Sequence, residues 1–331
     1  MVHAILTGEP HPVKALWSLN DLILAMEGSR ETYEALMKLE FFVGSDFFMT
    51  PTLELADLIL PPCTYLERDE IEYNYYTYFI AARRKVIEPM YETRNERDMD
   101  FEIIRRMGLR PPEEWTSSDE FNDYCLRNMG LSFEDLKEKV YMAEPIRYKK
   151  YEEKGFNTPS GKVELYSETL RDFGYDPLPF YQENPETPLS TPEFAEDYPL
   201  ILITGSRHVV YFHAANRQIP WLREIAPDPT LEIHPEKAEE LGIRDGDWVW
   251  VEAPKGRGRV RMKAFLTEAL DPRVVHAYSH WWFPERKEDP LHGVFDSNIN
   301  VILTNDPPYE PVTGATPLRG NLCRVYKADA P

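Results

Sequence analysis

Cysteine, basic residues and long apolar runs are scarce in this 331-residue sequence. Its three cysteines, Cys63, Cys125 and Cys323, form no CxxC pair and no cluster. That pattern argues against a disulfide scaffold, a zinc site or an iron–sulfur site built by this chain. No apolar run approaches the roughly 20 residues that a membrane-spanning helix needs. The first 17 residues have no charged segment followed by an apolar one, so they predict no signal peptide.

Basic residues are outnumbered by acidic ones, with 37 Lys and Arg against 57 Asp and Glu and a formal net charge of −20. Such an acidic surface repels nucleic acid and anionic membranes, so neither is expected as a partner. A phosphate-bearing ligand would have to be bound by local donors. The hydrophobic content of 42% is enough for folded cores, and the length suggests about two domains.

Residues 1–110 alternate between strand and helix signals. Short apolar runs end in polar residues near positions 18–20 and 44–46, and residues 29–40 have apolar side chains at helical spacing. The alternation predicts a parallel sheet with helices on its faces. Residues 111–198 carry two capped helices and then a stretch rich in Pro and Tyr, which we interpret as a connector.

Residues 199–331 have mainly strand signals. A buried strand over 200–203 is followed by a strand and a short helix that begins at Pro235, and residues 248–266 have the pattern of a hairpin. Many short strands with tight turns predict a compact barrel. The expected fold class is therefore α/β followed by β, with a connector between the two parts.

The turn "TGSR" after the strand at 200–203 is a candidate anion site. Gly205 lets a backbone approach closely, Thr204 and Ser206 offer hydroxyl groups, and Arg207 offers a fork that suits a phosphate. The alternative is a plain strand-end turn with an exposed arginine. The turn is neither a Walker loop nor a nucleophile elbow, so no nucleophile is predicted at Ser206.

Polar residues also follow two strands of the predicted sheet. Asn20 comes after one strand, and Ser45 and Asp46 come after the next. Ligands of open α/β sheets lie beyond the carboxyl ends of strands, where a carboxylate accepts hydrogen bonds from a ribose or a guanine edge. Turn capping is the alternative, and spacing alone favours it.

Histidine and asparagine supply the remaining candidates. No histidine pair has the spacing of a metal motif, so no protein-built metal site is predicted, and His213 and His280 are expected to hydrogen-bond within a core or to a ligand. If "SNINV" is extended, Asn298 and Asn300 point to one face and could bind the edge of a heterocycle. The alternative places both asparagines in turns.

Taken together and in order, these segments resemble the C-terminal part of molybdopterin oxidoreductases of the dimethyl-sulfoxide-reductase superfamily. The sequence motifs are most similar to those of the thiosulfate/polysulfide-reductase and acetylene-hydratase-like branch. The resemblance covers essentially the whole chain and rests on seven motifs: "FFVGSDFFMTPTLELADLILPPCTYLERDE", "GFNTPSGKVELYS", "DPLPFY", "YPLILITGSR" with "YFHAANRQIPWLRE", "EIHPEKAEELGIRDGDWVWVE", "HWWFPE" and "FDSNINVILT".

The resemblance implies an architecture and a cofactor. Residues 1–110 would be the later part of the family's third domain, a Rossmann-like nucleotide-binding layer. Residues 111–198 would be a helical and Pro-rich connector, and residues 199–331 a double-psi β-barrel that closes over the pterins. The implied cofactor is molybdopterin guanine dinucleotide, two per enzyme in the family, with molybdenum or tungsten.

The resemblance also implies roles for the candidate residues. "TGSR" matches a Thr-Gly-Arg turn near the dinucleotide, with Ser206 as an insertion, and His213 matches a histidine of that region. Asp46 matches an acidic residue at the guanosine end, and Asn298 and Asn300 match an Asn-rich stretch near a pterin. His280 would lie near the pterin as well. No catalytic residue and no metal ligand is predicted in this chain.

The family's N-terminal region, with its cysteine-bound iron–sulfur cluster and usual metal ligand, has no match here. We therefore expect a fragment, a subunit of a split enzyme or a truncated gene product. The expected partners are an N-terminal molybdopterin segment or subunit and an iron–sulfur electron-transfer subunit, with no membrane span. The chain as written is expected in the cytoplasm, or in the periplasm if an export signal precedes it. A non-catalytic binding module and part of a non-redox hydratase stay open as alternative functions.

Overall fold

The computed structural model describes residues 1–73, 78–109, 115–143 and 145–329. These residues form two compact units, of which the first comprises 1–59 with 180–331 and the second comprises 60–179. The units cut across the division predicted from sequence, because residues 60–109 group with the predicted connector. A strand at 79–83 pairs with one at 141–143, so both stretches share a sheet.

The strands are β1 Ala15–Ser18, β2 Phe41–Gly44, β3 Leu58–Ile59, β4 Glu70–Tyr73, β5 Phe79–Arg83, β6 Tyr141–Ala143, β7 Leu200–Thr204, β8 Thr230–Ile233, β9 Trp248–Ala253, β10 Gly258–Leu266, β11 Val274–Ala277 and β12 Arg319–Lys327. The helices are α1 Val2–Thr7, α2 Ser29–Leu36, α3 Glu96–Arg106, α4 Ser118–Leu126, α5 Phe133–Lys139, α6 Lys150–Lys154, α7 Glu168–Asp172, α8 Pro192–Ala195, α9 Pro220–Ile225, α10 Pro235–Glu240 and α11 Val294–Ser297. Short 3-10 turns lie at Leu53–Leu55, Arg127–Met129, Pro290–Gly293 and Ile299–Val301. Within the described ranges, no helix is long and apolar enough to cross a membrane.

The first unit contains a three-stranded parallel sheet in the order β1-β2-β3. Ser18 at the end of β1 lies opposite Gly44 at the end of β2, and the backbone N–H of Ser45 donates to Ser18 O at 2.9 Å. The residues that follow the two strands therefore emerge at the same edge. The parallel sheet agrees with the predicted α/β class, while its interpretation as a Rossmann-like layer stays a prediction.

The same unit contains a closed barrel of six strands in the order β10-β8-β11-β7-β12-β9. Alternate residues point inward, as in β7, where Leu200, Leu202 and Thr204 are buried and the two residues between them are half-buried. The predicted hairpin is β9 and β10, paired antiparallel. Because β7 and β11 are parallel neighbours, the loops that leave them start at the same end of the barrel.

The second unit has its own small core. Strands β4, β5 and β6 form an antiparallel sheet, and the helical residues Leu126, Phe133 and Leu136 are buried in a cluster that includes Ile80 and Met142. Ser132 caps α5 and forms a complete capping box with Asp135. This core explains why the predicted connector is partly a compact unit.

Candidate functional site

Three loops of the first unit come together. They are the β2 loop, residues 45–52; the β7 loop, residues 205–218; and the β11 loop, residues 278–283. Gln218 Nε2 donates to Met49 O at 2.7 Å, which joins the β7 loop to the β2 loop. Trp282 Nε1 donates to Ala214 O at 2.9 Å, which joins the β11 loop to the β7 loop. The sheet edge and the barrel end predicted separately from sequence thus meet.

The turn at the start of the β7 loop is anchored at Thr204, and the three residues that follow are exposed to solvent. Thr204 Oγ1 donates to Leu318 O at 2.8 Å, and Arg319 Nε donates to Thr204 O at 3.3 Å. Gly205 has a φ of +100°, a conformation that side chains rarely adopt. Gly205, Ser206 and Arg207 are exposed. Thr204 therefore anchors the turn, while the next three residues present backbone, hydroxyl and guanidinium groups.

A chain of hydrogen bonds runs through the β7 and β11 loops. Arg207 lies 3.2 Å from His213 Nε2, and His213 Nδ1 lies 3.2 Å from His280 Nε2. His280 Nδ1 lies 2.6 Å from Ser279 Oγ, which donates to Ser206 O at 3.4 Å. A guanidinium can only donate, so His213 Nε2 accepts, and each imidazole then carries its proton on Nδ1. The geometry therefore requires both rings to be neutral.

Burial and nearby cations agree with neutral rings. Burial lowers the pKa of His280 to about 3, with further contributions from His213, Arg217 and Arg207. Burial, followed by Arg207 and Arg217, also lowers the pKa of His213. Protonation of either ring would place an N–H against a donor and break the chain.

Arg217 clamps the two histidine turns. Its side chain is 2% exposed, its Nη1 donates to His213 O and its Nη2 donates to Ser279 O at 3.5 Å. His213 and His280 have φ values of +50° and +65°, a left-handed conformation that costs an L-residue about 1 kcal/mol or more. The guanidinium carbon lies 4.6 Å from the ring centre of Tyr211. Burial lowers the pKa of Arg217 to about 9, which reports the cost of its desolvated charge.

Acidification is expected to destabilise the chain through His280. Its pKa of about 3 lies below the ordinary value of 6.5, so the unfolded chain binds the proton first as the pH falls. Stability from this group is complete above pH 6.5 and falls toward pH 3, by about 1.4 kcal/mol at pH 5.5. Urea unfolding at pH 7.5 and 5.5 measures this loss. His280→Asn, which tolerates the left-handed turn, should lessen the pH dependence; His11→Asn, at an exposed site, should not. Equal pH dependence in both variants would contradict the assignment.

The sheet-edge candidates have different environments. Asn20 is exposed, and its backbone N–H donates to Ser18 Oγ at 3.3 Å, as a turn residue would. Ser45 is fully buried, and its Oγ has no hydrogen-bond partner among the described residues. Asp46 is half-buried and accepts from the N–H of Phe48 at 3.3 Å. Ser45 and Asp46 thus begin the β2 loop, which contacts the β7 loop through Met49 and Gln218.

Of the two conformations left open for Asn298 and Asn300, the structure has the turn and not the extended strand. Residues Ile299–Val301 form a 3-10 turn after α11, because Ile299 and Val301 are buried in the barrel core. Asn298 Nδ2 donates to Ser29 Oγ at 3.0 Å, and Asn300 Nδ2 donates to Leu24 O at 2.8 Å. Both amides donate to the α/β layer, to backbone carbonyl groups and to the Ser29 hydroxyl, and the binding of a heterocycle edge by these amides stays a prediction.

Sequence reasoning missed three residues of this site. Arg217 and Arg319 were overlooked because an isolated arginine carries no spacing signal, and Ser279 because it lies inside an apolar strand pattern. The only signal was the close sequence position of Arg217 and His213, four residues apart. Among the described residues, no group of three or more His, Cys, Asp or Glu side chains could hold a metal ion.

The donors fit a dinucleotide better than a neutral ligand. Arg207 and Arg319 flank the open Gly205 turn, with Arg319 Nη2 3.6 Å from where a Cβ on Gly205 would lie. Thr316 and Pro317, which precede Leu318 in the sequence, help to line a cavity of about 390 Å³ together with Asn184. Two guanidinium groups, a hydroxyl and a glycine backbone form a donor set suited to phosphate oxygens.

Comparison with known proteins identifies the family. Residues 200–322 match the molydopterin dinucleotide binding domain, and residues 2–108 match the molybdopterin oxidoreductase family. The chain is 34% identical to acetylene hydratase of Syntrophotalea acetylenica, over 98% of this chain and 45% of the relative. It is 28% identical to dopamine dehydroxylase of Eggerthella lenta, over 98% of this chain and 39% of the relative.

Solved structures agree. The acetylene hydratase from Pelobacter acetylenicus superposes with a TM-score of 0.87 at 33% identity, over 99% of this chain and 46% of that chain. The chain therefore belongs to the dimethyl-sulfoxide-reductase superfamily of molybdopterin oxidoreductases and contains the family's molybdopterin dinucleotide binding domain. It spans less than half the length of these relatives.

Proposed function

We propose that this chain is the C-terminal, cofactor-enclosing portion of a bis-pterin molybdenum or tungsten enzyme. The observation that carries the proposal is the open Gly205 turn with its two arginine side chains, at the start of a β7 loop that contacts both the β2 loop and the β11 loop. The closed barrel, with two parallel pairs among antiparallel ones, supports its assignment as a double-psi barrel. The three-stranded layer beside it would be the family's nucleotide-binding layer.

Each residue would have a definite task. The backbone of Gly205 and Ser206 and the guanidinium of Arg207 would bind the pyrophosphate, and Thr204 would position the turn. Ser45 and Asp46 would bind the guanosine end, because they leave the sheet edge beside the β7 loop. Asn20, exposed in the neighbouring turn, would contribute at most at the rim. Asn298 and Asn300 would hold the layer against the barrel end rather than contact a pterin.

His213 and His280 would act beside the pterin as neutral hydrogen-bonding groups. When bound, the cofactor supplies the redox or Lewis-acid chemistry of its metal. The residues of this chain bind the dinucleotide, orient it and exclude water. If Arg207 turns to a phosphate, His213 Nε2 loses its donor and is left as a free acceptor that could bind a pterin N–H, while Ser279 keeps the proton of His280 on Nδ1.

A non-redox hydratase is the second candidate function. The identity of 34% to acetylene hydratase, and the TM-score of 0.87 to a solved acetylene hydratase, favour it specifically. Water addition to a triple bond requires no net electron transfer, whereas atom transfer consumes or delivers two electrons. An assay of the assembled enzyme with acetylene, without an external electron donor or acceptor, distinguishes the two. Turnover under these conditions supports the hydratase, and no turnover argues against it.

The partner would be the portion of the enzyme that the relatives contain and this chain does not. That portion would supply the metal ligand and an iron–sulfur cluster, from which electrons would pass to an iron–sulfur subunit in a redox enzyme. Alone, the chain would bind and hold the dinucleotide without turnover. Absence of molybdenum, tungsten and guanine dinucleotide from the purified assembly would overturn the proposal.

Arg207→Ala is expected to reduce the cofactor content of the assembled enzyme at least about tenfold, because charge-assisted bonds to phosphate are lost. Metal analysis and release of guanine nucleotide from the denatured protein measure the loss. Arg273→Ala, an exposed arginine paired with Asp271, is the matched control and should retain the cofactor. Unchanged metal and nucleotide in Arg207→Ala would remove this residue from the site.

A further inference from the structure

The segment 145–179, called here the aromatic arm, is the least buried part of the second unit. None of its residues is buried, and only four are half-buried. Even so it exposes large hydrophobic side chains, which are Ile146, Tyr148, Tyr151, Phe156, Val163, Leu165, Tyr166, Phe173, Tyr175 and Leu178. The exposed fractions of Leu165 and Phe173 are 74% and 76%. Exposed apolar surface of this extent marks an interaction site.

The arm has its own local order. Ser167 N donates to Pro177 O at 2.8 Å, and Ser167 also caps α7. Gly155 has a φ of +67°, and a Cβ there would lie 2.8 Å from Gly161 O, so only glycine fits this turn. Tyr151 and Phe156 stack with ring centres 5.1 Å apart. These bonds preorganise the arm while its apolar side chains stay exposed, which lowers the entropic cost of binding.

The net charge of the aromatic arm limits which kind of partner can bind it. The arm contains six basic and six acidic residues, so its formal net charge is zero in a chain of net charge −20. A neutral apolar surface does not suit nucleic acid or an anionic membrane. A second copy of this chain would bring another −20 and repel the first at low salt.

The lengths of the relatives indicate which partner binds the aromatic arm. The chain covers 45% of acetylene hydratase and 39% of dopamine dehydroxylase, so more than half of each relative is polypeptide that this chain does not contain. We infer that the aromatic arm docks onto that N-terminal portion of the catalytic assembly, with Leu165, Phe173 and their neighbours buried in the contact. The inference rests on the proposed function, in which such a portion completes the enzyme.

The test uses the assembled enzyme, with this chain tagged. The double variant Leu165→Asp with Phe173→Asp should leave the thermal midpoint of the chain alone unchanged, since neither side chain is buried there. It should lower recovery of the N-terminal portion with the tagged chain at least about tenfold, as charges at the centre of an apolar interface do. Met107→Asp, 68% exposed in the same unit, is the control, and the conservative single variant Phe173→Leu should retain assembly.

Photo-crosslinking through a benzophenone amino acid at position 173 identifies the contacted surface. Cross-links to the N-terminal portion support the inference. Undiminished assembly of the double variant, or cross-links to a second copy of this chain, would overturn it. This outcome can be told apart from a failure of the proposed function. If the assembly contains guanine dinucleotide but its formation is unaffected by the arm variants, only the docking is refuted. If the assembly contains no dinucleotide, the cofactor role is refuted.

Discussion

Replacing Arg217 with methionine is expected to lower the free energy of unfolding by about 2–4 kcal/mol, despite removing a buried charge. Methionine fills much of the volume between Tyr211 and Trp281, over whose rings the guanidinium carbon lies at 4.6 and 5.1 Å. It cannot donate to His213 O or Ser279 O, so two carbonyl groups lose their donor. The left-handed turns at His213 and His280 would then lose the group that holds them together.

Urea unfolding at pH 7.5 measures the loss. Arg217→Lys should fall between the wild type and methionine, since an ammonium retains the charge without the planar fork. Arg223→Met is the matched control, because Arg223 also lies over Trp281 but is only half-buried and pairs with Glu285. Buried ion pairs can often be replaced by apolar residues at no cost. If Arg217→Met leaves the free energy of unfolding unchanged or raises it, the buried arginine does not stabilise the two histidine turns.

The clamp also shows where sequence reasoning stops. Turn residues are predictable when glycine supplies the positive φ, as Gly205 and Gly242 do. Histidines at positive φ have no such signal, and the bonds that Arg217 donates to His213 O and Ser279 O are not visible in the sequence of either turn. The contact between the His213 and His280 rings joins residues 67 apart in sequence and depends on the parallel pairing of β7 with β11. No local pattern contains that information.

The fold was easier to predict from the sequence than the candidate site. The period-two burial of β7, the hairpin β9–β10 and the helix that begins at Pro235 are local features, so the barrel could be predicted from them. The division into units could not, because it depends on pairing between β5 and β6, which are distant in sequence. A run of proline and tyrosine likewise does not reveal whether its aromatic side chains face inward or outward.

Asn298 provides the sharpest test of how the two layers of the first unit are joined. Its side chain is fully buried and its amide donates to Ser29 Oγ, Leu24 O and Ile23 O at 3.0, 3.4 and 3.5 Å. Asn298→Asp replaces this donor with an oxygen that faces carbonyl groups and adds an unpaired buried charge. The expected loss is about 3–5 kcal/mol in the free energy of unfolding at pH 7.5.

The deficit of Asn298→Asp should shrink as the pH falls toward 5, because burial raises the pKa of the new carboxyl group and the folded chain then takes up a proton before the unfolded chain does. Asn20→Asp, in the exposed turn after β1, should change stability by less than about 0.5 kcal/mol. Urea unfolding across pH 5 to 7.5 compares the two. If Asn298 instead contacts a pterin edge, Asn298→Asp leaves the stability of the chain alone unchanged and lowers the dinucleotide content of the assembly. The hydrogen bonds to Ser29 and Leu24 predict the reverse, a large loss of stability in the chain alone that precedes any effect on cofactor.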